Sequence, residues 1–108
     1  MSMGATFGPK GKPVYYGSET KDWGSVSNWG TLSEEVDCVG AEEGMFVSVG
    51  MTTLDGASGS QAALHNNLHM HGYVKSGGDV VVVVLSNMAQ AGSINLTSGT
   101  LYVKATFG

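Results

Sequence analysis

Residues 80–87 read VVVVVLSN (Val80–Asn87), and this stretch decides the fold class. Successive β-branched side chains are stiff at χ1 and crowd a helix, but they pack well on a pleated surface. The stretch therefore reads as a strand. A strand with one wet face alternates apolar and polar residues, and Val80 to Val84 do not. Both faces are expected to be dry. In a two-layer domain each sheet has a single inner face. The outer side of this strand should then meet another subunit, another protein or an N-terminal arm; cover by the chain's own loops is the other reading. Val80, Val82 and Val84 become the candidate self-association residues.

The flanking sequence continues in the same manner. TLYVKATF (100–107) alternates Leu101, Val103, Ala105 and Phe107 against Tyr102, Lys104 and Thr106. MFVSVGM places Met45, Val47, Val49 and Met51 on one face by the two-residue period. In TLSEEVDCV, Val36 and Cys38 oppose Glu35 and Asp37. LHNNLHMHGYV reads as a strand, GAEEG (40–44) and KSGGD (75–79) as turns, and TTLDGASGSQAA as a loop. MAQAGSINLTSG is a connection with room for a short extended piece. No window carries a long amphipathic helix. Short strands separated by turn signals predict an all-β fold, an antiparallel β-sandwich of jelly-roll or immunoglobulin-like type.

The first 30 residues are different. They hold both prolines, three of the five lysines and both tryptophans, without a sustained period. They are expected to form an extended N-terminal arm over 1–30 ahead of a β-sandwich domain over 31–108. Phe7, Lys10, Lys12, Tyr15, Tyr16, Trp23 and Trp29 are its candidate partner-binding residues. A single edge strand around Val14 to Tyr16 is the alternative. ATFG occurs at 5–8 and again at 105–108, too short to count as a repeat.

Composition excludes several classes. The 108 residues carry a net charge of -4, and all five Lys+Arg are lysines, which argues against binding nucleic acid. The longest aliphatic run, Val80 to Leu85, is far shorter than the ~20 residues of a spanning helix, so no membrane partner is expected. The N-terminal residues show no basic-then-apolar signal pattern. Charged residues make up 13%, about half the usual ~25%, so Ser, Thr, Asn and Gly must cover much of the surface.

Chemistry-bearing residues are sparse. All three histidines lie in HNNLHMH: His65, His69 and His71 share one strand face, opposite Leu68 and Met70. His65 would stand about 14 Å from His69 along a straight strand at ~3.4 Å per residue, too far for one zinc ion, and no matching Cys or second His cluster exists. Leu68 and Met70 are expected in the core, with the histidines facing solvent or a subunit. Metal, cofactor and catalytic residues are expected to be none. GPKGKP departs from the phosphate-loop pattern and DGASGS from the nucleophile elbow. Glu34, Glu35, Asp37, Glu42 and Glu43 read as a solvated acidic rim, and Cys38, in phase with Val36, as a buried thiol.

GYVKSGGDVVVVVLSNMAQAGSINLTSGTLYVKATFG resembles the C-terminal half of small β-sandwich virion proteins of tailed bacteriophages. The matching positions are Tyr73-Val74, the valine-rich strand ending in Asn87, and Ser98-Gly99-Thr100 before the last strand. WGTLSEEVDCVGAEEGMFVSV is similar too, so the likeness covers roughly residues 29–108. Such strands usually alternate with Thr or Arg where this one has unbroken valines. The resemblance implies a structural, non-enzymatic part of a virion assembled in the bacterial host cytoplasm. It implies a capsid decoration (cement) protein that binds the major capsid protein or another virion protein, as a homo-oligomer with a trimer favoured. A tail or head-fibre subunit is its counterpart. A carbohydrate-binding β-sandwich module is the rival, with Trp23, Trp29, Tyr15 and Tyr16 stacking on sugars.

Overall fold

In the computed structural model the described residues are 5–7 (backbone pairing only), 13–52, 68–88 and 92–107. The fold is all-β and antiparallel. Its strands are β1 (Ala5–Phe7), β2 (Pro13–Lys21), β3 (Gly24–Val26), β4 (Thr31–Asp37), β5 (Phe46–Met51), β6 (Leu68–Val74), β7 (Val80–Asn87), β8 (Ile94–Leu96) and β9 (Gly99–Thr106). They form a four-stranded sheet in the order β1-β2-β9-β5, a three-stranded sheet β4-β7-β6, and the β3-β8 ribbon.

One apolar core joins all three. The inward residues of β7 (Val81, Val83, Leu85) and of β9 (Leu101, Val103, Ala105) are buried. Val36, Val74, Ile94, Leu96 and Val26 pack with them. The two-residue period expected for β4, β5 and β9 is present: Val36 is buried while Glu35 and Asp37 are exposed. The valine run also alternates, since Val81 and Val83 are buried and Val80, Val82 and Val84 are half-buried on the outer face. Five identical side chains conceal an ordinary pleat.

The sheets meet along two seams. Gly72 on β6 faces Val47 and Val49 of β5, and a Cβ there would lie 2.9 Å from a Val47 methyl. At the other seam, a Cβ on Gly17 of β2 would collide with the Asp37 carbonyl oxygen of β4. Gly17 lets the β2 and β4 backbones approach closely, and Gly72 leaves room for the valine methyls packed against it.

The expected arm over 1–30 is not what the described part of that segment forms. β2 pairs with β9 from Val14↔Thr106 to Lys21↔Gly99 and also receives β1. β3 pairs with β8. Residues 13–21 and 24–26 thus belong to the sheets, and the described chain runs through residue 30 without leaving the fold. The β2 period was hidden because its inner face reads Tyr15, Gly17, Glu19, Lys21: this face lines the β4 seam as well as the core. The Ala-Thr pairs of the two ATFG copies flank β2 symmetrically. Ala5 and Ala105 both oppose Tyr15, and Thr6 and Thr106 both oppose Val14.

Candidate interaction faces

The outer face of the four-stranded sheet carries the clearest site. Alternation sends Tyr16 and Ser18 outward from β2, Tyr102 and Lys104 from β9, and Phe46, Ser48 and Gly50 from β5. Register then sets two rows, Tyr16–Lys104–Ser48 and Ser18–Tyr102–Gly50. Tyr16 and Tyr102 are diagonal neighbours, a separation of about 7–8 Å between Cα atoms. Between them and β5 lies a groove of about 680 Å³. Its floor is open at Gly50, where an added Cβ would meet no atom within 4 Å. Phe46 is 71% exposed and Tyr102 51%. Among the described residues, no carboxylate, histidine or cysteine lines this groove. It can stack on and hydrogen-bond to a partner.

The residues expected from sequence divide. Tyr16 is in the groove. Trp23 is not a free anchor: it is 6% exposed and part of the core. Its Nε1–H donates to Met51 Sδ at 3.2 Å, and Lys21 Nζ lies 5.1 Å from the ring centroid. Tyr15 is half-buried against the core, its ring filling the space a Cβ on Gly40 would need. Trp29 is exposed at the turn closed by Gly30 N–H to the Ser27 carbonyl, with φ 58. Phe7 opposes Pro13, and its side chain, like Lys10, Lys12 and His65, lies outside the described residues. Sequence reasoning missed Tyr102, Phe46 and Lys104. Their signal was present: each is an outward residue on a strand whose alternation is legible, and two of the three are aromatic.

The other side chains of interest are dispersed. His69 and His71 are exposed on the outer face of β6. No group of three His, Cys, Asp or Glu that could hold a metal occurs among the described residues. Cys38 is buried in the core, and burial, with the Asp79 charge beside it, raises its thiol. Of the expected acidic rim, Glu35, Asp37, Glu42 and Glu43 are exposed, but Glu34 is half-buried. Glu34 lies 3.5 Å from Lys21 and hydrogen-bonds Glu19 across the β2–β4 seam. Burial first, then the Glu34 hydrogen bond and charge, push the Glu19 carboxyl up to about 7. The hydrogen bond from Glu19, aided by Lys21, holds Glu34 below its ordinary range. Glu19 Oε1 is buried with no hydrogen-bond partner among the described residues.

The chain matches no family model, no curated protein and no solved structure.

Proposed function

We propose that this chain is a non-enzymatic structural protein of a tailed-phage particle. In this reading it is a capsid decoration protein built as a β-sandwich of the jelly-roll or immunoglobulin-like type. The likeness of residues 29–108 to such virion proteins supports it. The observation that carries the binding role is the outward display of Phe46, Tyr16 and Tyr102 on one sheet face. Aromatic anchors supply most of the energy of an interface, and burying apolar area contributes about 25 cal/mol per Å² before ordering costs. The strands fix the Cα spacing of these residues, so each ring has only its two side-chain rotors to order on contact. Lys104, between Tyr16 and Ser48, adds an exposed charge to the face, worth less than a buried ring. The partner is the major capsid protein or another virion protein.

The test mixes purified protein with undecorated particles and measures occupancy by gel or cryo-EM. Phe46→Ser and Tyr102→Ser should each lower occupancy at least about tenfold, and Lys104→Ala by less. Unchanged occupancy for both ring variants would rule this face out. Labelling found at the tail or on head fibres would move the same docking role to a fibre subunit.

A second reading rests on the groove itself. Two tyrosines flanking an open floor, with Ser18, Ser48 and Lys104 in reach, form a platform for a saccharide ring. Retention on a glycan array that Tyr102→Ala abolishes, together with no binding to particles, would favour it.

A further inference from the structure

The outer face of the β4-β7-β6 sheet carries His69 and His71, two residues apart on β6. The pleat sends both imidazoles to the same side, and both are exposed. The ladder to β7 sets His69 opposite Ser86 and His71 opposite Val84. It therefore fixes where each side chain leaves the backbone, with Cα atoms about 7 Å apart at ~3.4 Å per residue. Two nitrogens that each lie about 2.0–2.1 Å from one ion stand roughly 3–4 Å apart. Each ring has only to lean about 2 Å toward the other, which side-chain rotation supplies.

The surroundings leave both rings free to ligate. Register puts them in the rows Thr31–Ser86–His69 and Ser33–Val84–His71, whose other members are all neutral. Lys75, the lysine on this face, is tied to Glu35, with Nζ 3.1 and 3.0 Å from the two carboxylate oxygens. That ion pair spans the neighbouring rows and leaves no free ammonium beside the histidines. Among the described residues neither imidazole has a hydrogen-bond or ion-pair partner to give up. The Ser86 hydroxyl, 3.4 Å from Thr31 Oγ1, stands across the ladder from His69. It is placed to hydrogen-bond a water on an ion held there, the outer-shell support that metal sites use.

We propose that His69 and His71 together bind one divalent transition-metal ion of the copper(II) or nickel(II) kind, with water completing its coordination. Ligand chemistry selects the class. Imidazole nitrogen suits these ions, a tetragonal set of nitrogen and water oxygen is their preferred geometry, and copper(II) is the tightest of the divalent series. Magnesium and calcium take oxygen ligands and are not expected here. A structural zinc site is closed by four protein ligands, which two imidazoles do not provide. The ion is therefore exchangeable and open to solvent. The proposal departs from the expectation of no metal residue, which rested on a site shared with His65 and closed by further protein groups. It is independent of the aromatic groove, which lies on the other sheet.

Calorimetric titration of the untagged full chain with copper(II), nickel(II) and magnesium chlorides tests it. One copper(II) per chain is expected, with nickel(II) weaker and magnesium without effect. His69→Ala and His71→Ala should each weaken copper(II) binding at least about tenfold, the loss that even outer-shell partners of a metal carry. Both positions are exposed, so the circular dichroism of both variants should match wild type. His65→Ala should bind as wild type does. In nitrogen-15-labelled protein, substoichiometric copper(II) should first broaden the amide signals of residues 69–71 and 84–86, which the ladder places beside the ion. No saturable binding below about 1 mM would overturn the proposal. So would a loss in only one of the two variants, or broadening centred elsewhere in the chain. One ion per two or three chains would overturn the water-completed site, because other copies would then supply the ligands.

Discussion

The Asn87 side chain, fully buried, donates its Nδ2–H to the Val26 carbonyl at 3.0 Å. The Asn87 backbone N–H donates to the Gly30 carbonyl at 3.0 Å. Together they fasten the end of β7 to β3 and to the turn that presents Trp29. This is a structural reason for a polar residue to end an otherwise apolar strand. Asn87→Leu removes the donor and forces apolar bulk against a carbonyl, so it should destabilise by about 1–3 kcal/mol. Urea unfolding with an unchanged m-value measures it. A loss under about 0.5 kcal/mol would show that the bond contributes little.

Deletion of residues 1–20 should abolish cooperative folding. It removes β1 and all of β2 except Lys21, leaving β9 without its partner from Val14 to Thr20. The exposed ladder edge would favour aggregation. A truncated chain with a native-like thermal transition would contradict this.

Two glycines on the same sheet should respond oppositely to alanine. Gly17→Ala drives a methyl into the Asp37 backbone and should destabilise by about 1–3 kcal/mol. Gly50→Ala adds a methyl where nothing lies within 4 Å, so stability should hold within about 0.5 kcal/mol. It narrows the groove beside Tyr102, and binding at that face should weaken. Thermal melts of both variants, with particle binding for the second, check the contrast.

The Glu19–Glu34 pair predicts a pH profile. Glu19 is raised from 4.5 to about 7 on folding. Its contribution is complete below about pH 4.5 and is lost as pH rises through about 7. Glu34 is lowered, so its contribution is present above about 4.5 and is lost as pH falls through its folded value. Both are held together near pH 5. The melting temperature should fall between pH 5 and 8. In Glu19→Gln, where an amide donor cannot ionise, that fall should be much shallower. Equal slopes for the two proteins would refute the raised Glu19 carboxyl.

The sequence by itself determined the fold class and most of the inward positions. The alternation in 100–107 and 45–51, and the β-branched run at 80–84, depend only on the two-residue period of a pleated chain, which is a local property. What a strand faces is not local. β2 lost its period because Gly17 and Glu19 answer to β4, a neighbour chosen by tertiary packing. Trp23 reads as a free anchor until Met51 Sδ is brought to its indole N–H. β3 and β8 are three residues each, too short for any period to register, and they exist because each supplies the other's ladder. The tertiary structure therefore decided which outward side chains share a face. Tyr16 and Tyr102 are far apart in the chain and become neighbours only through the antiparallel register of β2 on β9.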